Sequence, residues 1–161
     1  MKMCVRGLGN MGLPVAINRA RAGHDVTGAS NRPVAAATEA GVTALTDATL
    51  ALRDREVTFC VLPDLPYLEP MLPALIEGGT RDLVVMSTIS PTRVRELAER
   101  LRGQVNVLDA CMSGGVAKAS DGTMSIMCGG DAATFERLRP LLDVIGGTVE
   151  LMGDVGAGAV T

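Results

Sequence analysis

With 161 residues, 47% of them apolar and 20% charged, the chain is long enough for one domain with a sizeable core and too apolar for disorder. A net charge of −3, with both signs mixed along the sequence, argues against a general nucleic-acid or membrane-surface binder, and no apolar stretch approaches the ~20 residues of a membrane span. Aromatics are limited to Phe59, Phe135 and Tyr67, which excludes a base-stacking platform and leaves Ala, Val, Leu and nine Met to fill the core.

Lys2–Val5 reads as a strand that runs into Gly7-Leu8-Gly9-Asn10-Met11-Gly12, and Met11–Ala22 follows as a helix. Strand, G-x-G-x-x-G and helix in this order make a dinucleotide-binding turn. The first Gly turns the chain off the strand, the second admits a pyrophosphate against bare backbone, and the third lets helix and strand pack closely. The helix then directs free N–H groups and its positive end at the phosphates. Gly23-His24 stops the helix, and Asp25–Ser30 is a second strand. Pro33–Ala40 begins a helix closed by Gly41. Asp47–Arg53 is a short helix capped by Thr46 or Asp47.

Glu56–Leu62 is the third strand, ended by Pro63. Leu65–Glu77 reads as helical, its boundaries blurred by Pro66, Pro70 and Pro73. Asp82–Met86 is the fourth strand. Ser90-Pro91 opens a helix through Leu101, in which Glu96 and Arg100 are spaced for an i,i+4 pair. Val105–Asp109 is the fifth strand. Met112–Ser120 is a stretch rich in Gly and small residues. Thr123–Cys128 is a sixth strand, Ala132–Ile145 a helix, Thr148–Met152 a last short strand, and Gly153–Thr161 is loose. This alternation predicts one α/β domain with a doubly wound, mostly parallel sheet. The apolar runs Phe59–Leu62 and Leu83–Met86 fit central strands buried on both faces.

The end of the second strand selects the cofactor. An acid there would hold the adenosine ribose of NAD, whereas a basic residue would meet the 2′-phosphate of NADP. The sequence has Ala29-Ser30-Asn31-Arg32-Pro33, with Asn31 nineteen residues past Gly12. Arg32 can form a bidentate pair with a phosphate, and Asn31 adds neutral hydrogen bonds. NADP is therefore expected ahead of NAD.

Four segments together resemble the β-hydroxyacid dehydrogenase family of 3-hydroxyisobutyrate, tartronate semialdehyde and succinic semialdehyde enzymes: Gly7–Gly12, Leu62-Pro63-Asp64, Ser87-Thr88-Ile89-Ser90-Pro91, and Asp109-Ala110-Cys111-Met112-Ser113-Gly114-Gly115. The resemblance covers the whole chain. It implies a Rossmann-type domain extended by an extra β-α-β unit. It also implies that Leu62 and Pro63 line the cofactor's path and that Thr88 sits near the nicotinamide and its ribose. Ser113, Gly114 and Gly115 would bind a substrate carboxylate through free backbone N–H groups. The substrate implied is a small 3-hydroxy acid or its semialdehyde.

In the family a catalytic lysine follows the segment that resembles Gly153–Thr161, near the start of a long interdomain helix. A helical carboxyl-terminal domain then closes the cleft and mediates dimerisation. The lysines of this chain are Lys2 and Lys118, and neither matches that position. The expectation is a cofactor-binding half of a homo-oligomeric parent, itself without the general acid. An imine reductase shares the glycine turn and the Asn-Arg pair, but its imine lacks the carboxylate that the Ser-Gly-Gly loop would hold. A non-catalytic NADP-binding module is the rival from another class.

Some residues depart from the family. Arg6 stands at the strand end where the family is apolar, so a partner or a snorkelled side chain is expected. Cys111 stands where the family has Pro, as an inert buried thiol or a reactive one. Cys4, Cys60, Cys111 and Cys128 form no C-x-x-C pair, which fits free thiols in a reducing, cytoplasmic setting. Arg6 and the glycines interrupt the first apolar run, so it does not read as a signal peptide. His24, the one histidine, is placed to cap or face the first helix end rather than to catalyse, and no metal site is expected.

Overall fold

The computed structural model describes Met1–Val160, the side chains of Leu65 and Val160 apart. Eight strands form one sheet: β1 (Lys2–Arg6), β2 (Asp25–Ala29), β3 (Thr43–Leu45), β4 (Val57–Cys60), β5 (Asp82–Val85), β6 (Asn106–Ser113), β7 (Met124–Gly129) and β8 (Gly146–Gly153). Their order is β3-β2-β1-β4-β5-β6-β7-β8, and every neighbouring pair is parallel except β6–β7. The helices are α1 (Gly12–Arg21), α2 (Ala35–Glu39), α3 (Ala48–Leu52), α4 (Leu72–Glu77), α5 (Pro91–Arg100), α6 (Gly115–Asp121), α7 (Ala132–Asp143) and α8 (Ala157–Val160). This is the doubly wound α/β fold expected, and β7-α7-β8 is its β-α-β extension.

Strand alternation sorts the core into two layers. Met3 and Val5 turn to the face where Val15 of α1 and Phe135 and Leu138 of α7 are buried. Cys4 turns to the other face, against Leu52, Leu75 and Leu97 of α3, α4 and α5. Both faces are covered, so β4 and β5 are buried at every position. Side chains fix the helix starts: Asp47 accepts from Thr49 N at 2.9 Å, Ser90 from Arg93 N at 3.3 Å, and Asp131 from Thr134 N at 3.1 Å.

Several sequence expectations need correction. β3 has only three residues and carries no periodicity to read, yet it pairs with β2 along its whole length. The prolines divide Leu65–Glu77 into 3-10 turns at Leu65–Tyr67 and Glu69–Met71 before α4, and Pro73 falls in the first turn of α4, where its missing N–H does no harm. The strand read as Val105–Asp109 does not stop there: as β6 it continues to Ser113, paired with Ser125 of β7, and α6 follows within the stretch of small residues. Within the loose Gly153–Thr161 stretch lies α8, while Thr161 is outside the described residues. Arg100 reaches Glu69 at 2.7 and 2.8 Å rather than Glu96, because α5 packs beside the turn that carries Glu69.

Candidate functional site

The strand order reverses between β1 and β4, since β2 and β3 lie to one side and β4, β5 and β6 to the other. In open α/β sheets ligands bind at such a switch point, outside the carboxyl ends of the strands. A cleft of about 670 Å³ opens there, and Gly7 through Gly12 form one wall. Gly7 has φ 100°, and a Cβ on it would collide with the Val61 carbonyl oxygen. A Cβ on Gly12 would collide with the Gly7 carbonyl oxygen, so this glycine sets the approach of α1 to β1. Gly9 is different. It is exposed, and a Cβ there would meet nothing within 4 Å. α1 starts without a side-chain cap or an acidic residue in its first turn; Leu13 N donates to Gly9 O at 3.0 Å. An uncapped helix start beside bare backbone suits the negative charge of a pyrophosphate, so the residues fit a dinucleotide.

Ser30, Asn31 and Arg32 form the wall beyond β2. Ser30 N is fixed on Leu45 O of β3 at 3.1 Å, while Asn31 and Arg32 are exposed. Val61, Leu62 and Pro63 after β4, and Met86, Ser87 and Thr88 after β5, form the opposite side. The buried Ser87 hydroxyl accepts from Leu62 N at 3.0 Å and lies 3.4 Å from Cys60 O, which ties the two strand ends together. The sequence signals no role for Ser87 or for Tyr67, yet both line the cleft. Arg6 lines it too, half-buried, with its guanidinium donating to Ala29 O at 3.1 Å and to Met71 Sδ at 2.9 Å. The expected partner of Arg6 is therefore a carbonyl and a thioether.

The fold thus gathers Gly7, Leu8, Gly9, Asn10, Met11, Gly12, Asn31, Arg32, Leu62, Pro63 and Thr88 around one cleft. It does not bring Ser113, Gly114 or Gly115 into that lining. Met112, just before them, belongs to the lining, and the three residues lie exposed at the junction of β6 and α6. The Lys118 side chain packs over Gly114 and is also outside the lining.

Asp109 of β6 is buried, and its carboxylate accepts Gly156 N at 2.6 Å and Ala159 N at 3.1 Å, which fastens α8 to the sheet. Burial raises its pKa in spite of those donors. All four cysteines are free. Burial raises Cys4 to about 11 and Cys128 to about 12, and burial followed by the Asp109 charge raises Cys111, so these thiols stay protonated at neutral pH. His24 is lowered by partial burial first and then by the amino terminus and Arg19. An imidazole uncharged at neutral pH offers no charge to the helix end.

Known proteins resemble this chain in sequence and fold. The chain is 39% identical over 171 residues to 2-hydroxy-3-oxopropionate reductase of Escherichia coli (strain K12), covering 98% of this chain and 56% of that protein. It is 37% identical over 164 residues to a Pseudomonas aeruginosa protein named NAD-dependent L-serine dehydrogenase, covering 96% of this chain and 54% of that one. The structure of Mycobacterium tuberculosis 3-hydroxyisobutyrate dehydrogenase with L-serine matches at TM-score 0.92 and 32% identity, over 99% of this chain and 57% of the other. An imine reductase of Streptomyces aurantiacus matches at TM-score 0.86 and 26% identity, over 99% and 58%. The chain spans about half the length of the curated relatives it matches. The model of the NAD binding domain of 6-phosphogluconate dehydrogenase matches residues 2–153. The chain belongs to that family of NAD-binding domains, and the relatives that it resembles include hydroxyacid dehydrogenases and reductases.

Proposed function

We propose that this chain is the NADP-preferring domain of an oxidoreductase acting between a nicotinamide cofactor and a small 3-hydroxy acid or its semialdehyde. The observation that carries the reading is the convergence of the Gly7–Gly12 turn and the Asn31-Arg32 pair on one cleft. In this reading the backbone of Gly9, Asn10 and Met11 holds the pyrophosphate at the start of α1. Arg32 and Asn31 hold the 2′-phosphate, Leu62 and Pro63 flank the cofactor's path, and Thr88 meets the nicotinamide ribose. When bound, the nicotinamide supplies or accepts the hydride. Ser113, Gly114 and Gly115 hold the substrate carboxylate beside the cleft, where Gly114 (φ 134°) and Gly115 (φ 75°) take conformations that suit an anion-binding turn.

The names of the relatives support the hydroxyacid reading. The Ser-Gly-Gly loop favours it over an imine substrate, which carries no carboxylate. The proton of the reaction is assigned to a lysine outside this chain, in a parent that has a second, helical domain and works as a cytoplasmic homo-oligomer. Among the described residues no helix is long and apolar enough to cross a membrane. Calorimetric titration tests the cofactor assignment. The chain is expected to bind NADP(H) more tightly than NAD(H), and Arg32→Ala to weaken NADP(H) by about 1.5–3 kcal/mol, the scale of a hydrogen bond to a charged group. Equal binding of both cofactors by the unaltered chain overturns the preference.

A further inference from the structure

We infer that Arg6 is a second specificity-determining cation of the adenosine end of the cleft, aimed with Arg32 at a phosphate on the 2′ position of the ribose. The inference rests on the NADP reading above and extends it to a residue that the dinucleotide fingerprint does not include. Arg6 is the last residue of β1, and alternation places it with Cys4 on the face opposite α1. Its NH1 is held on Ala29 O at 3.1 Å, the same carbonyl that receives Gly7 N at 3.0 Å. Ala29 immediately precedes Ser30, Asn31 and Arg32. The guanidinium is therefore anchored against the strand end from which the other candidate phosphate ligands follow, and Arg6, Ser30, Asn31 and Arg32 line one cleft.

The partners of Arg6 make it an unusual wall residue. It is half-buried, yet among the described residues it forms no ion pair; its bonds go to a carbonyl and to the Met71 thioether. Asp64, which follows the cleft residues Leu62 and Pro63, accepts from Arg93 at 2.9 and 3.2 Å. A partly desolvated guanidinium without a carboxylate is a poor structural element, because desolvation is not offset by a counter-charge. A dianionic phosphate between Arg6 and Arg32 supplies that counter-charge, meeting the fork of Arg32 and the guanidinium nitrogen of Arg6 that the carbonyl and thioether bonds leave over. A neutral ribose hydroxyl does not.

The test uses two probes that differ only in the 2′-phosphate, adenosine 2′,5′-bisphosphate and 5′-AMP, titrated calorimetrically beside NADP⁺ and NAD⁺. Arg6→Gln is expected to weaken the bisphosphate and NADP⁺ by about tenfold, the scale of one charge-assisted hydrogen bond. It is expected to leave 5′-AMP and NAD⁺ within about twofold. Arg6→Lys should restore part of the loss, because the charge returns without the fork. Arg6→Met, which keeps the apolar stem, serves if the Gln variant loses its thermal transition. A preference for NADP⁺ that disappears in Arg32→Ala and persists in Arg6→Gln overturns this inference alone. Equal losses for 5′-AMP and the bisphosphate also overturn it, since Arg6 would then serve the shared adenosine monophosphate. Equal binding of NADP⁺ and NAD⁺ by the unaltered chain instead brings down the cofactor reading on which it stands.

Discussion

The Asp109 carboxylate accepts the Gly156 backbone N–H at 2.6 Å, joining β6 to the turn before α8 across 47 residues of sequence. Removing the acceptor strands a buried N–H, which costs about 1–3 kcal/mol. Asp109→Ala is thus expected to lower stability by that amount in urea denaturation and to speed amide exchange over residues 155–160. Cofactor affinity should be unchanged, because Asp109 does not line the cleft. The pH dependence has a defined sign. Burial raises this carboxyl in the fold, so the native chain binds its proton more tightly than the unfolded chain. The contribution of Asp109 is largest below the ordinary carboxyl range and declines as pH rises through the raised value. A variant with the wild-type pH profile would contradict this assignment.

Asp82 behaves in the opposite sense. Burial works against its ionisation, but bonds from Arg137 (Nε 3.1 Å, NH2 2.6 Å) and Asn106 (2.9 Å) overcome that and hold its pKa below the ordinary value. Its stabilisation is present above the unfolded pKa and is lost as pH falls through the depressed one. Arg137→Met leaves a buried carboxylate without its main partner and is expected to cost about 3–5 kcal/mol at neutral pH. The loss should shrink in acid, where Asp82 takes up a proton. Denaturation midpoints from neutral pH down to acid check both statements.

Arg19 is wholly buried on α1, with NH1 on Val15 O at 3.0 Å, its charge 3.9 Å from the Phe59 ring centroid, and, among the described residues, no hydrogen-bond partner for Nε or NH2. Burial lowers its pKa to about 9. Replacing an uncompensated buried charge by an apolar side chain of similar length is neutral to stabilising, by about 1–4 kcal/mol. Arg19→Met is expected to raise the thermal midpoint by several degrees with cofactor affinity unchanged. A clear loss of stability would mean that the cation–π contact with Phe59 outweighs desolvation.

The glycine turn separates binding from folding. Gly9→Val places its side chain in open space, so the thermal midpoint should hold while dinucleotide affinity falls at least tenfold, about 1.4 kcal/mol or more. Gly12→Ala drives a methyl into the Gly7 carbonyl and should destabilise the fold itself. Calorimetry paired with thermal denaturation distinguishes the two. If Gly9→Val binds like the unaltered chain, the pyrophosphate does not pass that backbone.

Residues 1–161 by themselves are expected to bind cofactor without turning over, since neither Lys2 nor Lys118 lines the cleft. Loss of a positioned acid–base typically lowers rates by about 10²–10⁴. NADPH oxidation with succinic, tartronate and methylmalonate semialdehydes provides the assay. Robust turnover that disappears in Lys118→Met would reassign the general acid to α6.

The sequence by itself determined the alternation of strands and helices that makes a doubly wound sheet, with β3, α6 and α8 excepted, and the glycine turn between β1 and α1. These signals are local: a glycine where a Cβ would strike a carbonyl, an apolar run where both faces are covered, and a cap residue before a helix. Even Arg6 could be recognised as anomalous from its place at the strand end. Tertiary structure alone decided where Arg6 turns, because its anchor Ala29 O lies on a neighbouring strand. It alone showed that β3 exists, since three residues acquire strand character only by pairing with β2. It gave Arg100 to Glu69 instead of Glu96, and it gave Ser87 and Tyr67 their places on the cleft. It also placed Ser113, Gly114 and Gly115 outside the lining, because β6 carries its pairing with β7 through Ser113 before the chain turns into α6. Such pairings depend on the distance between elements after packing, which no local pattern encodes.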